Sequence, residues 1–224
     1  MSNKIKKTKL HKLPDFDYKV RLTTMKDRDK CVKRIERIVR SSLEYRDLIF
    51  FLKNYVDFNH CTFYKSIGLD ANSKSSIEIH HAPFTLYDIA DTVLQKYLDK
   101  GIPVNELYIA EEVMELHYKN MVGLIPLSKT IHQAIHSSEK RGDYKFFTPI
   151  NLVYGDYNKF IEEYAEYIDD PIYERVNARI EVCKNLTPES FDALTTLFEY
   201  LNVDGQDDLE MIEDESEKEE INVA

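Results

Sequence analysis

The fold is decided by two short stretches, IEIHHAP at residues 77–83 and GLIPLSKTIHQAIH at residues 123–136. The first alternates apolar and polar side chains, which predicts a strand over Ser76–His81. The proline that follows ends this strand, since proline cannot donate to a sheet ladder. The second stretch predicts a strand over Met121–Leu127 that runs directly into a helix over Ser128–Ser137. We therefore expect two strands and a helix at the centre of the fold.

Helices are predicted on both sides of this centre. Apolar residues recur at helical spacing from Asp27, and Ser41 or Ser42 is placed to cap a second helix. The buried side of that second helix is expected to contain Leu48, Ile49, Leu52, Tyr55 and Val56. Between the two strands, helices are predicted over Leu86–Leu98 and Asn105–His117. The class is therefore α+β and mostly helical.

Other segments add to this frame. Cys61–Ile67 is rich in β-branched and aromatic residues, which predicts a further strand, and Gly68–Ser75 follows as a turn. An amphipathic helical face begins at Tyr157, and Thr187-Pro188 is expected to start a last helix. We expect one domain over residues 26–203.

The charge is segregated along the chain, although the net charge is −10. Residues 1–50 hold 15 Lys and Arg against 7 Asp and Glu, and residues 201–224 hold 1 against 10. We expect a basic arm over residues 1–25 that contacts DNA through its phosphates. Residues 204–224 are expected to form an acidic disordered tail. The simplest interpretation of this tail is a solubilising extension. The alternatives are that it binds a protein partner or that it competes with DNA for the basic arm.

Several classes of protein are disfavoured. No apolar run approaches the ~20 residues of a membrane span, so no membrane association is expected. The charged N-terminus lacks the apolar stretch of a secretory signal. Cys31, Cys61 and Cys183 are odd in number and form no C-x-x-C pair, which argues against a disulfide framework and a thiolate zinc site. We expect a reducing, cytoplasmic location.

Two groups of histidines lie in the central stretches. His80 and His81 end the first predicted strand, and His132 and His136 are four residues apart on the predicted helix. Either pattern alone is common by chance, and for the second pair taken alone a solvated helix face is the simpler interpretation. Their shared position in a strand–strand–helix context is what indicates chemistry.

These residues resemble the HNH endonuclease family, most closely the versions with His-His and His-x-x-x-His found in nuclease colicins. The run HHAPFTLYD at residues 80–88 is similar to HNH-type proteins of bacteriophages. If the gene belongs to a phage, the expected cytoplasm is that of the host cell. The resemblance covers residues 76–138 and implies a ββα-metal centre with a helical insertion. It implies that His80, His132 and His136 bind one divalent metal ion, such as Mg, Mn, Ni or Zn. His81 would be the general base in hydrolysis of DNA phosphodiester bonds.

The sequence departs from this family at several positions. Gly123 stands where the family has its middle asparagine, and Asn120 is a candidate substitute in the catalytic site. The zinc-ribbon cysteines of many HNH proteins are replaced by Ser128 and Ile131, so no structural zinc is implied. Candidate phosphate-binding residues are Lys129, Lys140 and Arg141, for which a solvated role is the simpler interpretation.

Two functions stay open at this point. The first is a metal-dependent DNA endonuclease. The second is a catalytically inactive HNH-like phage protein with a binding, regulatory or virion-associated role, which the Gly123 replacement and the net acidity favour. Geometry also matters, because successive residues of a strand point to opposite faces. His80 and His81 can share one cleft only if the strand breaks after them.

Overall fold

The structure of this chain is a computed structural model that describes residues 22, 24–63, 76–141 and 148–184. Within these ranges the elements, in chain order, are α1 (Met25–Ser41), α2 (Leu43–Tyr55), β1 (Ile77–His81), α3 (Leu86–Asp99), α4 (Glu106–Tyr118), β2 (Leu124–Ser128), α5 (Lys129–Arg141), a 3-10 turn (Ile150–Leu152), α6 (Tyr157–Tyr164), a second 3-10 turn (Ala165–Tyr167) and α7 (Asp170–Cys183). The mostly helical α+β class is confirmed. Residues 1–21 of the predicted basic arm, the helix predicted after Thr187-Pro188 and the acidic tail lie outside the described residues.

The chain divides into two compact units, each assembled from separate segments. The helical unit comprises the described residues of 1–53, 84–123 and 154–174, and the sheet unit comprises those of 54–83, 124–153 and 175–224. The single domain expected over residues 26–203 stays a prediction.

In the helical unit, α1 packs against α3 and α4. Two capping boxes start α1 and α3. The Thr24 hydroxyl accepts a hydrogen bond from the Asp27 N–H at 3.1 Å, and the Thr85 hydroxyl accepts one from the Asp88 N–H at 3.1 Å. Apolar side chains at helical spacing then fill the interface between the helices. The buried set includes Cys31, Val32, Ile35, Val39, Ile89, Val93, Leu94, Ile109 and Val113.

The second helix begins as expected and ends with one difference. The Ser42 hydroxyl accepts a hydrogen bond from the Tyr45 N–H at 3.0 Å, which confirms Ser42 as the cap. Leu48 and Leu52 are buried, as predicted. Tyr55 is 73% exposed, so its predicted burial is wrong. It is the last helical residue, and no further turn of α2 continues the buried face.

In the sheet unit, β1 and β2 form an antiparallel pair in which Ile77 lies opposite Ser128 and His81 lies opposite Leu124. Helix α5 packs against both strands. Among the described residues, one buried apolar cluster joins these elements: Cys61, Phe63, Ile125, Leu127, Ile131 and Ile135.

The strand predicted over Cys61–Ile67 is wrong where the structure describes it. Thr62 and Phe63 are helical, and residues 64–67 lie outside the described residues. Cys61 and Phe63 are nonetheless buried in the core of the sheet unit. An apolar, aromatic composition reports burial more reliably than it reports a strand.

In the part of the chain that the structure describes, no helix is both long and apolar enough to cross a membrane.

Candidate metal centre

The register of the two strands decides which side chains meet α5. His80 pairs with Ile125 and Glu78 pairs with Leu127, so these four residues share one face of the sheet. Ile125 and Leu127 pack in one cluster with Ile131 and Ile135 of α5. This face of the sheet is therefore the one that α5 covers.

Helix α5 begins immediately after β2, with no loop between them. The Ser128 hydroxyl accepts a hydrogen bond from the Ile131 N–H at 3.3 Å, and the Lys129 N–H donates to the Ser76 carbonyl at 3.1 Å. Because residues four apart lie on the same side of a helix, Ile131 and Ile135 turn together into the core. The residues that follow them, His132 and His136, are displaced together to one edge of that buried face.

Three histidine rings converge at this edge. One ring nitrogen from each of His80, His132 and His136 lies within 4.8 Å of the other two. The Nε2 atoms of His132 and His136 are 3.0 Å apart. The three ring planes are mutually inclined by 66° to 75°, with centroids 4.6 Å to 5.2 Å apart. The rings therefore direct their edges toward one region rather than stacking.

A carboxylate orients one of these rings. Glu78 Oε2 lies 2.5 Å from His132 Nδ1, so the Nδ1–H of His132 donates to the carboxylate. In that tautomer the Nε2 lone pair of His132 is directed away from Glu78, toward His136. Carboxylate, imidazole and metal in this order are common in metalloproteins, because the carboxylate fixes the tautomer and raises the basicity of the ligand.

The donor set suits particular metals. Neutral imidazoles bind Zn, Ni and Cu well, whereas Mg prefers oxygen ligands in octahedral geometry. His80 is only 6% exposed and His136 is exposed, so the three nitrogens lie between the core and solvent. Three ligands of this kind leave at least one coordination position open.

The comparisons with known proteins decide the family. The sequence model of one family, described as Bacteriophage G278-like virion protein, matches residues 3–221. The chain belongs to this family of G278-like virion proteins. No curated protein and no solved structure matches the chain.

Membership of the G278-like virion proteins corrects the resemblance to HNH endonucleases. The HNH resemblance rested on residues 76–138, whereas the virion family accounts for nearly the whole chain. The assignment as an HNH endonuclease and hydrolase is therefore wrong. The catalytic roles of His81 and Asn120 depended on that assignment and lose their basis with it.

His81 has a different environment from His80. It lies within β1 opposite Leu124, and the alternation of a strand places it on the face opposite His80. The strand does not break before it, and its side chain is 4% exposed. The group of potential metal ligands among the described residues does not include His81.

Asn120 belongs to the helical unit and turns the chain after α4. Its backbone is left-handed, with φ of 59°, and its carbonyl accepts a hydrogen bond from the Asp156 N–H at 2.7 Å. Gly155 packs closely here, because a Cβ added to it would lie 2.1 Å from the Val122 carbonyl oxygen. The backbone of Asn120 thus has a clear structural role in this turn.

The three candidate phosphate-binding residues all lie on α5. Lys129 is exposed at the first turn of the helix. Lys140 and Arg141 lie in its last turn, and their side chains lie outside the described part of the chain. Binding of phosphate by these residues stays a prediction, as does contact of the basic arm with DNA.

Sequence reasoning missed Glu78, the residue that orients His132. The signal was present, since Glu78 and His80 are two residues apart in a predicted strand and therefore share a face. What the sequence lacked was the position of α5, which brings His132 against Glu78 rather than against solvent.

Proposed function

We propose that this chain is a virion-associated component of a bacteriophage. The observation that carries this proposal is the match of the virion protein family over residues 3–221. The matched range includes the described residues of both the helical unit and the sheet unit, so the match does not depend on one short motif. The virion-associated alternative, left open by the sequence, is the one that this match supports.

The virion role is tested on particles of a phage that carries this gene. Particles are banded in a density gradient, washed with nuclease and salt, and analysed by quantitative mass spectrometry. The proposal expects the chain to band with the particles at a constant ratio to the most abundant capsid protein. Recovery of the chain only in the soluble lysate would overturn it.

We also propose that His80, His132 and His136 hold one divalent metal ion in the sheet unit. Support comes from the three converging nitrogens, the 3.0 Å separation of two Nε2 atoms and the Glu78 contact that sets the tautomer of His132. Of the ions expected from the sequence, zinc and nickel suit this donor set best.

A metal ion at this position would tie a strand to a helix. His80 belongs to β1, and the other two ligands belong to α5. An ion that binds the folded sheet unit, and not the unfolded chain, stabilises the fold by mass action. The ion is thus proposed to stabilise the unit rather than to hydrolyse a substrate.

The metal proposal is tested on the full chain after treatment with EDTA. Titration with ZnCl₂ should show one site by calorimetry. At a hundredfold excess over Kd, zinc should raise the free energy of unfolding by about 2.7 kcal/mol, or the melting temperature by roughly 5–10 °C. His132→Ala should abolish both effects.

His60→Ala is the matched control, because His60 lies in the sheet unit but outside the three-histidine group. It should keep the zinc-induced shift relative to its own metal-free state. Equal shifts in wild type and in His132→Ala would remove the metal proposal and leave the virion proposal intact.

The contact between Glu78 and His132 gives a second, finer test. Glu78→Ala should weaken zinc binding by about 10- to 100-fold, because His132 loses the group that orients its ring. Glu181→Ala, which removes an exposed carboxylate of the same unit, should leave zinc affinity unchanged. Calorimetry of both variants measures the difference, and equal affinities would show that Glu78 does not position the ligand.

A further inference from the structure

An apolar groove with an acidic border crosses the helical unit. It has a volume of about 390 Å³ and lies between α1, α4 and the start of α2. Its buried lining includes Val39, Ala110 and Met114. Its exposed lining includes three carboxylates, those of Glu44, Glu111 and Glu115. We call this feature the acidic groove.

The acidic groove carries exposed apolar surface as well as negative charge. Leu107, which lines it, is 63% exposed, and Tyr118 is also largely exposed. Burial and then the carboxylates of Glu44 and Asp47 raise the pKa of Tyr118, consistent with a negative potential at this end. A segment that combines apolar anchors with positive charge would match both properties.

The chain itself contains such a segment. Residues 4–13, KIKKTKLHKL, hold five lysines and no acidic residue, with apolar side chains at Ile5, Leu10 and Leu13. We call it the basic segment. We propose that the basic segment of each chain docks in the acidic groove of the same chain.

The distances permit this contact. The groove begins at Ile38, about 20 Å along α1 from Met25 at a rise of 1.5 Å per residue. The 11 residues 14–24 join the basic segment to α1 and can span up to about 36–40 Å. Tethering at this length places the segment at a millimolar effective concentration near the groove.

Zero-length crosslinking of the full chain tests the inference. A carbodiimide joins lysine amines to carboxylates that they contact, and mass spectrometry identifies the joined residues. Lysines of the basic segment should join Glu44, Glu111 and Glu115 at least roughly fivefold more often than comparably exposed carboxylates of the same unit. Glu162 and Glu174 serve as that reference.

A matched pair of variants separates docking from general attraction. Leu107→Lys places a positive charge in the groove and should reduce these crosslinks several-fold. Tyr108→Lys adds the same charge at a neighbouring side chain that is 61% exposed and does not line the groove, and it should leave them unchanged.

A mixture of ¹⁵N-labelled and unlabelled chains identifies the occupant. Crosslinks confined to single chains support the inference. Crosslinks between labelled and unlabelled chains would assign the groove to a neighbouring copy, and crosslinks from the basic segment mainly to residues 204–224 would assign the segment to the acidic tail. Either outcome would overturn the inference, as would an even spread over all exposed carboxylates.

Discussion

In the helical unit, His117 is buried on α4 beside Tyr45, and its Nδ1–H donates to the Val113 carbonyl at 2.7 Å. In the sheet unit, three histidines direct their ring nitrogens toward one another at the edge of a buried face. The first histidine has a backbone partner within its own helix and serves packing. The other three come from two elements, β1 and α5, and share a region that an ion can fill. Histidine is thus a core residue at position 117 of the helical unit, whereas the three histidines of the sheet unit are candidate ligands.

The two units also differ in how their elements are held. Partly buried ion pairs join helices of the helical unit, such as Arg28 Nε with Asp91 at 2.7 Å and Arg34 Nη2 with Glu106 at 2.6 Å. Lys96 and the Tyr164 hydroxyl share Glu112 Oε1 at 2.5 Å and 2.6 Å. In the sheet unit, the corresponding polar cluster consists of the three histidines and Glu78. An ion bound by these histidines would add a link between β1 and α5.

The largest expected effect comes from truncating the two cores. Leu94→Ala in the helical unit and Ile135→Ala in the sheet unit should each cost about 2–5 kcal/mol, because both side chains are fully buried. Only Ile135→Ala should weaken zinc binding, since Ile135 holds α5 against the sheet. Urea unfolding measures the stability, and calorimetry on the folded variants measures the affinity. A similar loss of zinc affinity in Leu94→Ala would contradict the assignment of the metal centre to the sheet unit alone.

The next effect concerns His117 and pH. Burial lowers the pKa of His117 to about 4, despite the hydrogen bond to Val113. In the unfolded chain its pKa is about 6.5, so between these values the unfolded state binds more protons. The free energy of unfolding should therefore fall by about 3 kcal/mol as the pH drops from about 6.5 to 4.

His117→Gln removes this titration. The free energy of unfolding of the wild type should fall more steeply than that of the variant as the pH drops through that window. Urea unfolding at a series of pH values measures both. An unchanged slope in His117→Gln would show that His117 is not held neutral in the core.

The smallest effect is the loss of a helix cap. Thr85→Ala should cost about 1 kcal/mol, because the Asp88 N–H loses its acceptor at the start of α3. Thr85→Ser keeps a hydroxyl at the same position and should restore most of that stability. Thermal unfolding distinguishes the two variants. Zinc affinity should be the same in both, since the cap belongs to the helical unit.

The local pattern of the sequence predicted much of the frame. Alternation located β1, and the i, i+4 spacing of His132 and His136 located both on one side of α5. The capping boxes at Thr24 and Thr85 also had a readable signature, threonine followed three residues later by aspartate. Tertiary placement was beyond such patterns, because the contact of Glu78 with His132 depends on how α5 lies across the sheet.

The resemblance to HNH nucleases shows a second limit. A few histidines at short spacing recur by chance and in unrelated proteins, so they indicate a possible ligand set rather than a reaction. Gly123 and the helical insertion between the strands were the features that disagreed with the nuclease family. The match over residues 3–221 weighs every segment of the chain, which is why it corrects an assignment based on four side chains.

The most direct test of the metal centre is X-ray absorption spectroscopy of the zinc-loaded full chain. We predict a first shell that includes three imidazole nitrogens at about 2.0–2.1 Å, with the multiple-scattering signature of histidine. The same measurement on His136→Ala should show one imidazole fewer. A first shell of oxygen atoms without imidazole scattering would contradict the account.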